Sequence, residues 1–441
     1  MTIDLLQVMI ALLAGIAAII LLTAKFRVHA FFALFLACFI TGLCAQLSVA
    51  DIITAIKEGF GHIMRSLGFI IVLGTTLGVL LEHTGSTRVM AASILKLVGE
   101  RYAAIAMSIT GFIVGLPIFC DSGYIVLSGL NQSLARRTGI SVVVMSVSLA
   151  TGLYSVHCLI PPHPGATAAA GVIGADFGQL ILAGILVAIP AAITGSWWAH
   201  YAGKKIPITA AEPTQTLAAG PTPPVWMAFM PVIVPIILIA IGAFTNIETA
   251  TASGIRIFHI LGDPIVALSI GVLLAFAGGR QWNRKTTSTL LTESAEKAGG
   301  ILVIIGAGGA FGAVLAATKI GQHVSAALPL GSFGIVFPFL LTALLKTAQG
   351  SSTVAIITAA SIIQPLLPAL GLDSSMGRLL CILALGGGSM TISHANDAYF
   401  WVISKFSGLE MRTMLKVYSL ATLWMGLVTL ATVYILSLFL L

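Results

Sequence analysis

Charge is scarce in this sequence: Asp, Glu, Lys and Arg make up 8% of 441 residues, against about 25% in an ordinary soluble domain. That shortage excludes a water-covered globule, because too few ionised side chains exist to clothe one. Cysteines at CxxC spacing are missing too. Cys38, Cys44, Cys120, Cys158 and Cys381 mostly fall inside apolar runs, which argues for small packing residues and against disulfides or a metal site. No HExxH spacing and no phosphate-binding loop occurs, so a metallohydrolase and a nucleotide-driven pump are both disfavoured, and no cofactor is expected. The stretch "GAGGAFG" at 306–312 lacks the strand–turn–helix setting of a dinucleotide loop and reads better as close helix packing. No Lys or Arg precedes Lys25. A signal peptide would open on a positive region, so residues 4–23 are expected to be a retained first span.

What is present is apolar. Hydrophobic residues make up 58% of the chain, and the mean hydropathy is +1.06. Runs of about 18 apolar residues or more recur along the whole length, as in membrane-spanning helices. Runs such as "ALLAGIAAIILL" do not alternate as barrel strands would. The fold class expected is an all-α polytopic membrane protein in contact with lipid. The net charge of +7 sits in short loops, where it sets orientation rather than binding nucleic acid.

One stretch, "GKKIPITAAEPTQTLAAGPTPP" at 203–224, has linker composition. The two sides of it resemble each other. "GTTLGVLL" at 74–81 matches "GGAFGAVL" at 308–315, and about 80 residues later each half carries a broken run with an embedded histidine, "SVHCLIPPH" and "ISHANDAYF". Placing the basic loops inside gives a first repeat, 1–202, with spans at about 4–23, 29–47, 66–82, 141–160 and 178–200 and an inward-opening hairpin near 104–134. The linker is then cytoplasmic. The second repeat, 225–441, has spans at about 226–244, 263–279, 299–316, 379–396 and 418–440 and an outward-opening hairpin near 331–368. This makes roughly ten transmembrane helices plus two re-entrant hairpins, in two inverted repeats, with the N-terminus and C-terminus periplasmic.

Four breaks interrupt the apolar runs, at 119–124, 156–165, 349–354 and 393–400. Non-helical backbone survives at membrane depth only beside protein or a watery cavity, and half-helices that begin at such breaks aim free N–H groups at anions. The polar side chains on offer suit a small hydroxylated carboxylate. Ser122, His157, His163, Gly350, Ser351, Ser352, Thr353, His394 and Asn396 are the expected substrate-binding residues. Asp121, Asp397 and His163 are the expected proton-coupling candidates. Lys346 either pairs with a carboxylate or snorkels to the interface. The alternatives stay open: His157 and His163 as structural donors to carbonyls freed by the prolines, His394 and Asp397 as a buried pair that holds the break, Asn396 as a helix cap.

"PPHPG" after a membrane histidine, "GSSTVAI" and "SHANDAYFWVISKFSG" resemble the gluconate permease (GntP) family of sugar-acid/proton symporters, as do "KFRVHAFFALFLACFITGL" and "IIGAGGAFGAVL". The resemblance implies uptake of gluconate or a related sugar acid with H⁺ across a bacterial inner membrane. It also implies the ion-transporter superfamily architecture, a homodimeric scaffold with elevator-type transport domains. A same-fold permease for another small carboxylate or a D-serine-like amino acid, with Na⁺ as the coupling ion, is the alternative. An intramembrane enzyme and a channel fit less well.

Overall fold

The computed structural model describes residues 5–204, 206, 222–244, 253–279, 282–320 and 333–441. Most of the expected linker at 203–224 and residues 331–332 of the expected second hairpin lie outside the described residues. Every regular element among the described residues is helical. The first half consists of α1 (Leu5–Ile20), α2 (Ala30–Cys44), α3 (Val49–His83), α4 (Ser86–Val98), a hairpin of α5 (Ala103–Gly115) and α6 (Cys120–Thr138), a broken pair α7 (Val142–Leu159) and α8 (Pro164–Ile173), and α9 (Phe177–Gly203). The second consists of α10 (Val225–Phe244), α11 (Ser253–Leu261), α12 (Pro264–Gly278), α13 (Arg284–Ala317), a hairpin of α14 (Val336–Gln349) and α15 (Ser352–Ile363), a broken pair α16 (Ser375–Met390) and α17 (Ala398–Ser407), and α18 (Leu420–Leu440).

The starts of these helices follow from side chains that satisfy first-turn N–H groups. Ser48 accepts the Asp51 N–H at 3.1 Å to open α3, and Asn283 accepts the Thr286 N–H at 2.7 Å to open α13. These two helices have 35 and 34 residues. At 1.5 Å per residue each runs about 50 Å, well beyond the roughly 30 Å of a hydrocarbon core. The expected spans at 66–82 and 299–316 are therefore too short. The first turns were missed because they are amphipathic: Lys57, Glu58, His62 and Arg65 are exposed while Ile52, Ala55, Ile63 and Leu67 are buried at helical spacing. On α13, Lys297 and Glu293 pair at 2.7 Å on the outer side while Leu290, Ser294 and Ala298 face inward.

Among the described residues, eight helices are long and apolar enough to cross a membrane, or nine if the bent segment Ser86–Val98 and Glu100–Gly115 is one span. The expected spans at 29–47, 263–279 and 379–396 correspond to shorter apolar helices of 15, 15 and 16 residues, while Ser352–Leu370, inside the expected second hairpin, is itself long enough to cross.

The centre is the α3–α13 pair. Gly42 of α2 meets both Ile52 near the start of α3 and Val314 near the end of α13. Farther along, Gly59 lies against Gly309, and Ile63, Leu67 and Ile71 cluster with Ala298 and Ile305. The two helices thus run in opposite directions along their lengths. A Cβ on Gly59 would sit 2.4 Å from the Gly309 carbonyl oxygen, so only glycine permits this approach. The matched stretches 74–81 and 308–315 both end these long helices, where Gly74 receives Pro162 and Gly308 receives Ile357. In each half the hairpin packs on the broken pair, α5 on α7 and α14 on α16. The halves also interlock, because α8 packs on α15 and α6 on α17. That exchange brings all four breaks to one place.

Candidate functional site

Each break begins a new helix for a local reason. Gly115 ends α5, and Leu116 to Phe119 turn the chain into α6. The prolines at 161 and 162 cannot continue α7, and Pro164 occupies the first turn of α8, where its missing N–H costs nothing. Gly350 ends α14 with φ +84, and a Cβ there would fall 2.1 Å from the Asn396 carbonyl oxygen. Ser351 then caps α15 by accepting the Val354 N–H at 3.3 Å. Asp397 caps α17 by accepting the Tyr399 N–H at 3.0 Å.

A cavity of about 340 Å³ lies between these breaks. Its wall includes Cys120, Pro164, Ser352 and Ala398, which are the first residues of α6, α8, α15 and α17. Four helix N-termini therefore face one space. Each carries roughly half a positive charge and unpaired N–H groups. The cavity is small for a ligand pocket, whose range is about 300–1,000 Å³.

Of the residues expected from sequence, Asp121, His157, Gly350, Ser351, Ser352, Thr353, Asn396 and Asp397 line this cavity. Three do not. Ser122, in the first turn of α6, is outside the lining set. His163 is 2% exposed and sits behind His157, the ring centroids 5.0 Å apart, with its Nε2 2.6 Å from the Gly115 carbonyl oxygen. His394 Nε2 lies 3.2 Å from the Thr347 carbonyl oxygen, which also accepts from Asn396 Nδ2 at 2.8 Å. His394 and Asn396 thereby tie the fourth break to the end of α14.

Lys346 resolves its alternatives by pairing. It is fully buried, and its Nζ donates to Asp397 Oδ2 at 2.6 Å and to the Gly350 carbonyl oxygen. The ammonium also lies 6.0 Å from the Tyr154 ring centre. Asp397 Oδ2 accepts from Ser393 Oγ as well. Ser393 is in turn pinned by Thr422 Oγ1, which accepts its N–H at 3.0 Å, and by Ser419 Oγ, which donates to its carbonyl oxygen at 2.5 Å. One ion pair thus locks the tip of the second hairpin to the last break.

Sequence reasoning passed over Phe119, Tyr154 and Tyr399, which wall the cavity. Phe119 and Tyr399 stand inside breaks and Tyr154 just before one, but aromatic residues beside apolar runs are common enough to go unremarked. Gln349 is the first residue of the break at 349–354. It lines the cavity, and both of its amide atoms are enclosed without a hydrogen-bond partner among the described residues. Nδ1 of His157 is enclosed without a partner in the same way. Buried polar atoms left unpaired are costly, and these three atoms are closed off from solvent.

Comparison with known proteins agrees with this architecture. The chain is 33% identical to the gluconate permease of Pseudomonas aeruginosa over 97% of this chain and 96% of that one. It is 30% identical to the D-serine transporter DsdX of Escherichia coli K12, covering 97% of each. Its fold matches that of the YdaH transporter of Alcanivorax borkumensis with a TM-score of 0.66 at 16% identity, covering 88% of each chain. The family model for the GntP family permease matches residues 6–439, and the chain belongs to that family.

Proposed function

We propose that the protein carries gluconate or a related small sugar acid together with a proton across the bacterial inner membrane, and that the cavity at the four breaks is where the solute sits. The observation that carries the reading is the convergence of four helix N-termini on a space of about 340 Å³. A carboxylate placed there meets oriented N–H groups without needing a dedicated cation. The hydroxyls of Ser351, Ser352 and Thr353 match the hydroxyls of a polyol chain.

The opposed directions of α3 and α13 support two inverted repeats, 1–202 and 225–441, with a cytoplasmic connection and both termini periplasmic. The long α3 and α13, lying against each other, suit a scaffold. The hairpins and broken pairs, which hold the cavity, suit the moving body of an elevator, and a homodimer is the assembly proposed for it.

Labelled gluconate uptake into proteoliposomes tests the reading. Accumulation under an inward proton gradient, unchanged when Na⁺ replaces K⁺, is expected. Absence of any sugar-acid uptake, with or without the gradient, would sink it. One observation favours a second solute class: Asp121 gives the cavity an anionic group, which suits the ammonium of a D-serine-like zwitterion. Competition of D-serine against labelled gluconate separates the two.

A further inference from the structure

The cavity holds two carboxylates in unlike settings. Asp397 has every oxygen committed: Lys346 Nζ and Ser393 Oγ donate to Oδ2, and the Tyr399 N–H donates to Oδ1 at 3.0 Å. Removing this carboxylate would strand the fully buried ammonium of Lys346. Asp121 has no such anchorage. Among the described residues the only hydrogen bond to its carboxylate is a long one from Cys120 Sγ, 3.8 Å. No cation pairs with it: the described salt bridges are Arg137–Glu100, Lys297–Glu293 and Lys346–Asp397.

Charge bookkeeping then sets the condition for taking an anion. With both acids ionised, Lys346 neutralises Asp397 and the wall is left with the negative charge of Asp121. A solute carboxylate at the helix N-termini would meet that charge in a space screened from water, and like charges in one site cannot both persist without large cost. The remaining titratable groups around Asp121 do not relieve it. Cys120 adjoins it in sequence. Tyr154 and His157 face the cavity from α7, and Cys158 follows them. His163 Nε2 is tied to the Gly115 carbonyl oxygen and its ring is off the wall. Protonating His157 would leave a buried Nδ1–H with no acceptor. Tyr399 from α17 donates its hydroxyl to the Ala150 carbonyl oxygen at 3.2 Å. Glu100 and Arg137, with Arg101, lie at the far ends of α5 and α6.

We infer that Asp121 is the proton-carrying carboxylate of the cavity, while Asp397 serves as the fixed partner of Lys346. This rests on the symport reading above and adds its coupling step. In the empty cavity Asp121, in the first turn of α6, has no solute charge beside it. When the solute carboxylate arrives at the helix N-termini, Asp121 takes a proton from the outer solution. When the solute leaves on the other side, the proton leaves from the same oxygen. The linkage is reciprocal: a proton on Asp121 tightens solute binding as much as bound solute tightens the proton.

The experiment compares the full-length protein with D121N and D397N in proteoliposomes. Two transport modes are read, exchange of labelled gluconate for unlabelled gluconate and gradient-driven accumulation, together with proton entry by a pH-sensitive dye. D121N is expected to keep exchange, slowed by no more than about tenfold, the scale of one altered hydrogen bond. It should lose accumulation and dye-reported proton entry. D397N should lose exchange and accumulation together. Three results overturn the inference: D121N still accumulating solute, D121N losing exchange as well (which makes Asp121 part of the grip on the solute), or D397N exchanging without coupling. A second measurement stands apart from the solute. Acidifying the solubilised protein should raise, apart from the band of the water-exposed carboxyls, an infrared band of a buried protonated carboxyl that is absent in D121N and present in D397N, and persistence of that shifted band in D121N overturns the assignment. If the wild type carries no gluconate, the symport reading fails while the infrared comparison still decides which acid takes the proton.

Discussion

Lys346 and Asp397 stand 51 residues apart in sequence and meet in an interior where neither charge is solvated alone. Removing one partner leaves an uncompensated buried charge, a cost of about 3–5 kcal/mol, whereas removing both can cost far less. K346A and D397N are each expected to lower the melting temperature of the solubilised protein markedly, and the double variant to melt above at least one of them. Strictly additive losses would show that the pair does not act as a unit. This is also where sequence reading reaches its limit at the residue scale. The composition of the breaks made Asp397 and its neighbours visible as polar residues that an apolar chain retains for a reason. It could not show that Ser122 falls outside the cavity although it adjoins Asp121 on the first turn of α6, nor that His163 stands behind His157. Facing is set by the rotation of a half-helix about its axis, and a three-residue polar cluster carries no information about that rotation.

At the scale of elements, the four breaks were legible because Pro161, Pro162, Gly350 and the polar run 393–397 interrupt helices there, although Pro190, Pro231 and Pro235 stay inside α9 and α10. Hydropathy truncated α3 and α13, because the first turns of each carry enough charge to fail an averaged test while still burying a stripe at helical spacing. The approach of these helices gives a contrast that helix propensity alone would miss. Gly59 and Gly61 are two residues apart on α3. A Cβ on Gly59 collides with the Gly309 backbone, while at Gly61 nothing lies within 4 Å. G59L is expected to destabilise by about 1–3 kcal/mol or more through overpacking, and G61L to change stability by less than about 0.5 kcal/mol. Thermal melting of both variants in detergent checks this, and equal effects would argue against the close crossing.

For the whole molecule, a transporter and not an enzyme, the proposed repeat has in the sequence only faint support, the matches between 74–81 and 308–315 and between two histidine-bearing breaks. The reason is physical: packing constrains where small residues and helix breakers stand, and leaves most other positions free to diverge. The opposed course of α3 and α13 gives the inverted reading a direct consequence. Lys57 stands in the third turn of α3 and Lys285 in the first turn of α13, both exposed on matching elements. Opposite insertion puts them on opposite sides of the membrane, Lys57 outside and Lys285 inside. The other cysteines are buried and Cys44 is exposed, so the test uses a background with Cys44→Ser. In intact spheroplasts a membrane-impermeant maleimide should label K57C and spare K285C, and inverted vesicles should reverse the pattern. Labelling of both positions from the same side would mean that the two long helices enter the bilayer from one face. The broken pairs would then share an orientation, and alternating access by exchange of equivalent halves would lose its structural basis.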